Sequence, residues 1–168
     1  MSGAAAKHEA LRNTVGKALG RVPSGVFVLT VRDANQRPYA MLASWVQQAA
    51  FDPPTVCLAL GKDRPMRETI VRTGRLVLSV LGDGDKELMR RYARPRGPDD
   101  DPFTDDETFA APSGLPVVAG ALAWLDCELM QTCDFGGDHE LVIARVMAGD
   151  LLRPGHSFTH VRGNGFHY

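Results

Sequence analysis

ALAWLDCELMQTC (residues 121–133) and HELVIARVMAGDLL (139–152) are two long runs rich in apolar residues, and only Asp134-Phe135-Gly136-Gly137-Asp138 stands between them. Paired runs around a short Asp/Gly turn predict a β-hairpin. The same grammar recurs upstream in shorter form. Val26–Val31 is apolar and β-branched, Asp33–Pro38 supplies turn residues, and Tyr39–Val46 reads as the returning strand. Pro53-Pro54 excludes helix and opens a strand over Thr55–Leu60, and Leu76–Leu81 reads as another buried strand. Strands outnumber helices and most are joined by turns. The expected fold is mainly β, a barrel with a few helices, because closure removes the exposed edges and leaves a mouth for a ligand.

Three segments have helical character. Leu11, Val15, Ala18 and Leu19 share one face of a helix over Lys7–Leu19, which Gly20 and Pro23 end. Met66–Arg72 is closed by Gly74, and Asp85–Ala93 begins with an aspartate placed to cap it or to meet its positive end. Residues 94–116 are rich in Pro and Asp without a sustained period and predict a long surface loop. The chain is expected to be one domain over 1–168, with residues 1–19 as a helical extension.

Composition narrows the function classes. At 168 residues, 44% hydrophobic and 23% charged, the chain can bury a sizeable core and is not a disordered polymer. Nineteen Lys+Arg against twenty Asp+Glu give a net charge of −1. That leaves no global field for a nucleic-acid backbone, so no nucleic-acid partner is expected. Cys57, Cys127 and Cys133 cannot all pair within the chain and show no CxxC spacing, which suits a reducing compartment. No apolar run suits a signal peptide or a membrane helix. The expectation is a cytoplasmic protein with no membrane partner. His156 and His160 lack an HExxH setting, so no metal site is expected.

Three clusters could carry chemistry. Ser44, in Met41-Leu42-Ala43-Ser44-Trp45-Val46, offers a hydroxyl near a strand end, where it would bind a polar ring edge or merely satisfy the terminus. Lys62 and Arg64 follow Gly61 at another strand end and could clamp a phosphate; a solvated turn is the plain alternative. Arg67 and Arg72 read as a helix's solvent face. Gly136-Gly137-Asp138-His139 could lie against a flat ligand, with Asp138 orienting the imidazole of His139, or be a hairpin turn with a surface histidine. GxGxxG, P-loop and GxSxG signatures are absent from the sequence.

In order, these pieces resemble the FMN-binding split-barrel family of flavin reductases, a Greek-key-like barrel. The residues that carry the likeness are Pro23-Ser24-Gly25-Val26, the Met41–Val46 segment before Phe51-Asp52-Pro53-Pro54, Thr73–Leu81, and Gly137-Asp138-His139. The likeness runs from about Leu19 to the C-terminus. Within the family it is to the flavin-reductase module of cyanobacterial-type flavodiiron proteins, through MLASWV, Lys62-Asp63-Arg64, Arg162-Gly163-Asn164 and Tyr168. The resemblance implies a homodimer that binds FMN at or near its interface and transfers hydride from NADH or NADPH to flavin. Met41, Leu42, Ala43, Ser44, Trp45 and Val46 would line the flavin, Lys62 and Arg64 would lie near its phosphate, and Asp138 and the catalytic His139 would sit by the rings. It also implies a partner oxygenase or flavodiiron-type protein as electron acceptor, with a non-catalytic flavin-binding or redox-relay module as the alternative. Trp45 and Met66 depart from the family pattern, which has a second small hydroxyl residue and a phosphate-binding threonine there.

Overall fold

Short antiparallel strands form the body of the molecule. A computed structural model describes residues 3–94 and 100–166. Arg96 and the rest of residues 95–99 in the 94–116 loop, and the terminal Tyr168, lie outside the described residues. Among the described residues there are three helices, α1 (Gly3–Leu19), α2 (Pro65–Thr73) and α3 (Lys86–Tyr92). Nine strands accompany them: β1 (Phe27–Arg32), β2 (Pro38–Ala43), β3 (Val46–Ala50), β4 (Thr55–Gly61), β5 (Arg75–Val80), β6 (Thr108–Ala110), β7 (Pro116–Val118), β8 (Ala123–Asp134) and β9 (His139–Leu151). Seven form one antiparallel sheet in the order β2-β1-β5-β8-β9-β4-β3, and β6 and β7 make a separate ladder.

That strand order forces the sheet to curl. The outer strands β2 and β3 are consecutive in the chain and joined only by Ser44-Trp45. Laid flat, seven strands about 4.8 Å apart would separate the edges by about 29 Å. A two-residue link spans about 11 Å. The edges therefore converge at Ser44-Trp45, which is the seam of a split barrel. The sequence expectation of one strand over Tyr39–Val46 is corrected here. Val46 belongs to β3, because the chain must leave one edge of the sheet and join the other.

Two-residue alternation sorts side chains between the barrel interior and its outer face. Leu29, Val31, Leu58, Leu76, Leu78, Val142 and Ala144 fill one cluster, and α2 adds Met66 and Ile70 from one face to the same cluster. Val26, Val28, Ala40, Leu81, Tyr92 and Phe103 pack in a second. Helix α2 ends as expected, with Gly74 in the left-handed region (φ 68°) and its N–H donating to the Ile70 carbonyl. Asp85 stands at the N-cap of α3 but makes no side-chain cap there. Its carboxylate instead accepts the Gly82 N–H at 2.6 Å and pairs with Arg153 at 2.5 Å, since a guanidinium binds a carboxylate more strongly than an amide does.

The 94–116 segment holds more structure than its composition suggests. Phe103, Ala111 and Leu115 are buried, and β6–β7 lies over Val77. Ser79 accepts the Val118 N–H, Asp126 accepts the Ser113 N–H, and Arg91 pairs with Asp106.

The chain divides into two compact units, residues 25–158 and residues 1–24 with 159–168. In the smaller unit α1 packs its glycine edge, together with Leu19, against the C-terminal segment. A Cβ at Gly16 would come 2.5 Å from Asn164 Oδ1, and one at Gly20 would come 2.6 Å from the Arg162 carbonyl. Backbone bonds from Arg162 N to Gly20 O and from Gly165 N to Gly16 O use that closeness. Leu11 (61% exposed) and Val15 (40%) stay exposed on the helix.

Candidate flavin site at the barrel seam

The seam, the end of β4 and the start of β9 meet at one end of the barrel. Register places Gly61, the last residue of β4, opposite His139, the first of β9. The Lys62 N–H extends the ladder to the Asp138 carbonyl (3.0 Å), and the Ala59 N–H ties the seam to this end through the Trp45 carbonyl (3.0 Å). The rings of Trp45 and His139 lie 4.9 Å apart, tilted by 49°. Ser44, Trp45, Lys62, Asp138 and His139, which lie far apart in the sequence, are thus brought to one place. Arg64, exposed at the N-cap of α2, stands two residues further on.

The remaining candidates sit differently. Met41, Ala43 and Val46 turn their side chains into the barrel core, and Leu42 packs on the opposite face. At these positions a ligand outside the core would meet backbone. Met66 is fully buried in the core, so its side chain packs and contacts no ligand surface.

Ion pairs dominate the electrostatics of this end. Asp138 Oδ1 lies 2.9 Å from His139 Nδ1, and this bond to the imidazole holds the Asp138 carboxyl below its usual range. An ionised carboxylate only accepts, so the Nδ1 of His139 carries the proton and Nε2 is left as the acceptor while the ring is neutral. Lys62 Nζ meets Asp134 Oδ1 at 2.7 Å and, as the leading cause, lowers the Asp134 pKa. Arg67 Nε meets Glu140 Oε2 at 2.5 Å, which lowers the pKa of Glu140 and raises that of Arg67. Arg67 is therefore not a solvent-face cation, since its partner is buried. Sequence reasoning missed Asp134, Arg67 and Glu140 as members of this cluster. Their contacts cross more than seventy residues and leave no local signal.

The residues present fit a phosphate-bearing planar ligand. Ser44 Oγ is buried and has no hydrogen-bond partner, an unusual state for a hydroxyl. Arg64 makes no ion pair among the described residues. Gly61 sits where an added Cβ would come 2.6 Å from Asp63 Oδ1, which marks a close turn beside these cations. Shallow grooves along Gln47–Phe51 and beside Glu128, Leu129, Met130 and Arg145 lie elsewhere on the sheet and gather none of these groups.

A rolled antiparallel sheet whose seam gathers aromatic, cationic and hydroxyl groups defines a split-barrel flavin protein. Residues 19–164 match the flavin reductase like domain, and the chain belongs to that family. It is 41% identical over 157 residues to diflavin flavoprotein A 6 of Nostoc sp. (strain PCC 7120), covering 92% of this chain and 27% of that protein. It is 34% identical to diflavin flavoprotein A 1 of Synechocystis sp. (strain PCC 6803), covering 95% and 28%. The chain thus spans about a quarter of the length of these curated relatives. Among solved structures it resembles the NADH:FAD oxidoreductase of Streptomyces globisporus C-1027 (TM-score 0.79, 28% identity, 88% of this chain and 87% of that one). It also resembles the styrene monooxygenase flavin reductase of Pseudomonas putida S12 (TM-score 0.74, 27% identity, 86% and 91%). No helix among the described residues is long and apolar enough to cross a membrane.

Proposed function

We propose that this chain is an NAD(P)H:flavin oxidoreductase that takes FMN at the barrel seam and moves hydride to it from NADH or NADPH. One observation carries the reading: the partnerless Ser44 hydroxyl, the Trp45–His139 ring pair and the Lys62/Arg64 cations converge on one end of the barrel. Bound flavin would supply the two-electron chemistry.

The chain's own residues supply binding, orientation and charge. Lys62 and Arg64 hold the phosphate, and Ser44 Oγ meets a polar edge of the ring system. The Met41–Val46 backbone runs along the ligand, so its amides donate where negative charge builds up. Asp138 fixes the tautomer of His139, and the Nε2 of that ring holds the nicotinamide or accepts a proton. A styrene monooxygenase flavin reductase is among the similar structures and diflavin flavoproteins are among the relatives, which supports a partner oxygenase or flavodiiron-type protein as acceptor. A homodimer completes the reading, with exposed Phe51 (89%), Met130 and Met147 as apolar surface for a second copy.

The test is anaerobic turnover. Purified protein with added FMN should oxidise NADH or NADPH, seen as loss of the reduced-nicotinamide absorbance. No turnover with either nucleotide overturns the enzyme reading. A yellow protein that retains FMN yet ignores both nucleotides identifies a flavin-binding relay, a role suggested by the relatives in which this region is one part of a longer chain.

A further inference from the structure

Two of the basic groups at the seam, Lys62 and Arg67, are already partnered, but not equivalently. Arg67 is bound to Glu140, whose side chain is 4% exposed and sits within the β4–β9 ladder, so that pair belongs to the core. Lys62 is bound to Asp134 at the tip of the β8–β9 hairpin, where the two side chains are 35% and 57% exposed. Asp134 Oδ1 also accepts the Gly136 N–H at 2.8 Å, and Gly136 adopts the left-handed turn conformation (φ 83°). The hairpin's own turn therefore holds the carboxylate in place whether or not Lys62 is there.

Resting on the flavin reading above, we propose that Asp134 is a specificity-determining competitor: it is already bound to Lys62 in the free protein, so a flavin phosphate competes with a carboxylate for that ammonium. A phosphomonoester carries about −1.5 to −2 charges and makes strong charge-assisted bonds, so it displaces a solvent-reachable carboxylate but loses part of its gain in doing so. It also meets repulsion from the displaced Asp134. A flavin without a phosphate meets neither penalty. Asp134 thereby positions Lys62 and sets how long a phosphorylated flavin stays.

Asp134→Asn isolates the effect, since the amide oxygen still accepts from Gly136 while the charge is gone. FMN and riboflavin are titrated into the full chain by flavin fluorescence, and release rates are read by stopped flow. The variant is expected to bind FMN about two- to fivefold tighter, the range set by one exposed ion pair, and to release it more slowly. Riboflavin affinity stays unchanged, and the FMN gain shrinks in high salt as screening weakens both competitor and ligand. Asp134→Ser, which also keeps an acceptor for Gly136, repeats the measurement. Unchanged FMN affinity in both variants, or equal shifts for FMN and riboflavin, overturns the competition. A wild-type chain that takes up neither flavin instead overturns the flavin reading, and this inference with it.

Discussion

His139 owes its position to backbone pairing with Gly61 and its tautomer to Asp138, so its loss should remove function without removing structure. His139→Ala is expected to lower turnover about 10²-fold or more while changing FMN affinity little. Steady-state kinetics beside a flavin titration separates the two, and equal losses in both would make the residue a structural turn. Replacing Lys62 and Arg64 together by Ala should weaken FMN more than riboflavin, read by equilibrium dialysis. Glu140 contributes to stability instead. Arg67 holds its carboxyl below the ordinary glutamate value of 4.5, so the contribution is complete above that pH and is lost as the pH falls through the depressed folded value. Urea unfolding across a pH series should show stability declining below about pH 4.5. The decline should be shallower in Glu140→Gln, which itself costs about 1–3 kcal/mol at neutral pH.

Glycine meets two different demands in these elements, a left-handed conformation at the end of α2 and a close approach within β9. At the end of α2, Gly74 has φ 68° and open space where a Cβ would go. Gly74→Ala should therefore cost only backbone strain, about 1–2 kcal/mol. Gly149 in β9 is a different case, because an added Cβ would lie 2.6 Å from the Trp124 carbonyl of the neighbouring strand. Gly149→Ala must displace β8 or β9 and should cost more than Gly74→Ala. Thermal melts of the two variants side by side check the order. Both residues stand in one chain, but only the second touches the packing between strands.

Seven strands closed through a two-residue seam make ligand binding a property of the whole barrel. Flavin seated at Ser44-Trp45 would touch both edges of the sheet and should hold them together. At about 100 times its dissociation constant a ligand adds about 2.7 kcal/mol, and a domain of this size should then melt about 5–10 °C higher. Differential scanning fluorimetry with FMN measures the shift, and a melting temperature that does not respond would argue against seam binding. Analytical ultracentrifugation of wild type and Phe51→Asp tests the second copy. The wild type is expected to sediment as a dimer and the variant to shift toward monomer.

Much of the fold was legible because periodicity and turn chemistry are local. The β8–β9 hairpin, the buried run of β5 and the Gly74 stop of α2 follow from residue order alone. The break at Ser44-Trp45 was not legible, since Tyr39–Val46 is uniformly strand-like and only the meeting of the two sheet edges interrupts it. How α1 packs was not legible either: close backbone approach uses Gly16 and Gly20, while Leu11 and Val15 stay exposed. Sequence by itself determined the strand-rich class, the turns and the residue types available at the site. Tertiary structure alone decided which charges meet, pairing Lys62 with Asp134 and Arg67 with Glu140. Coulomb attraction acts through space, and only the folded sheet brings residues more than seventy positions apart within its reach.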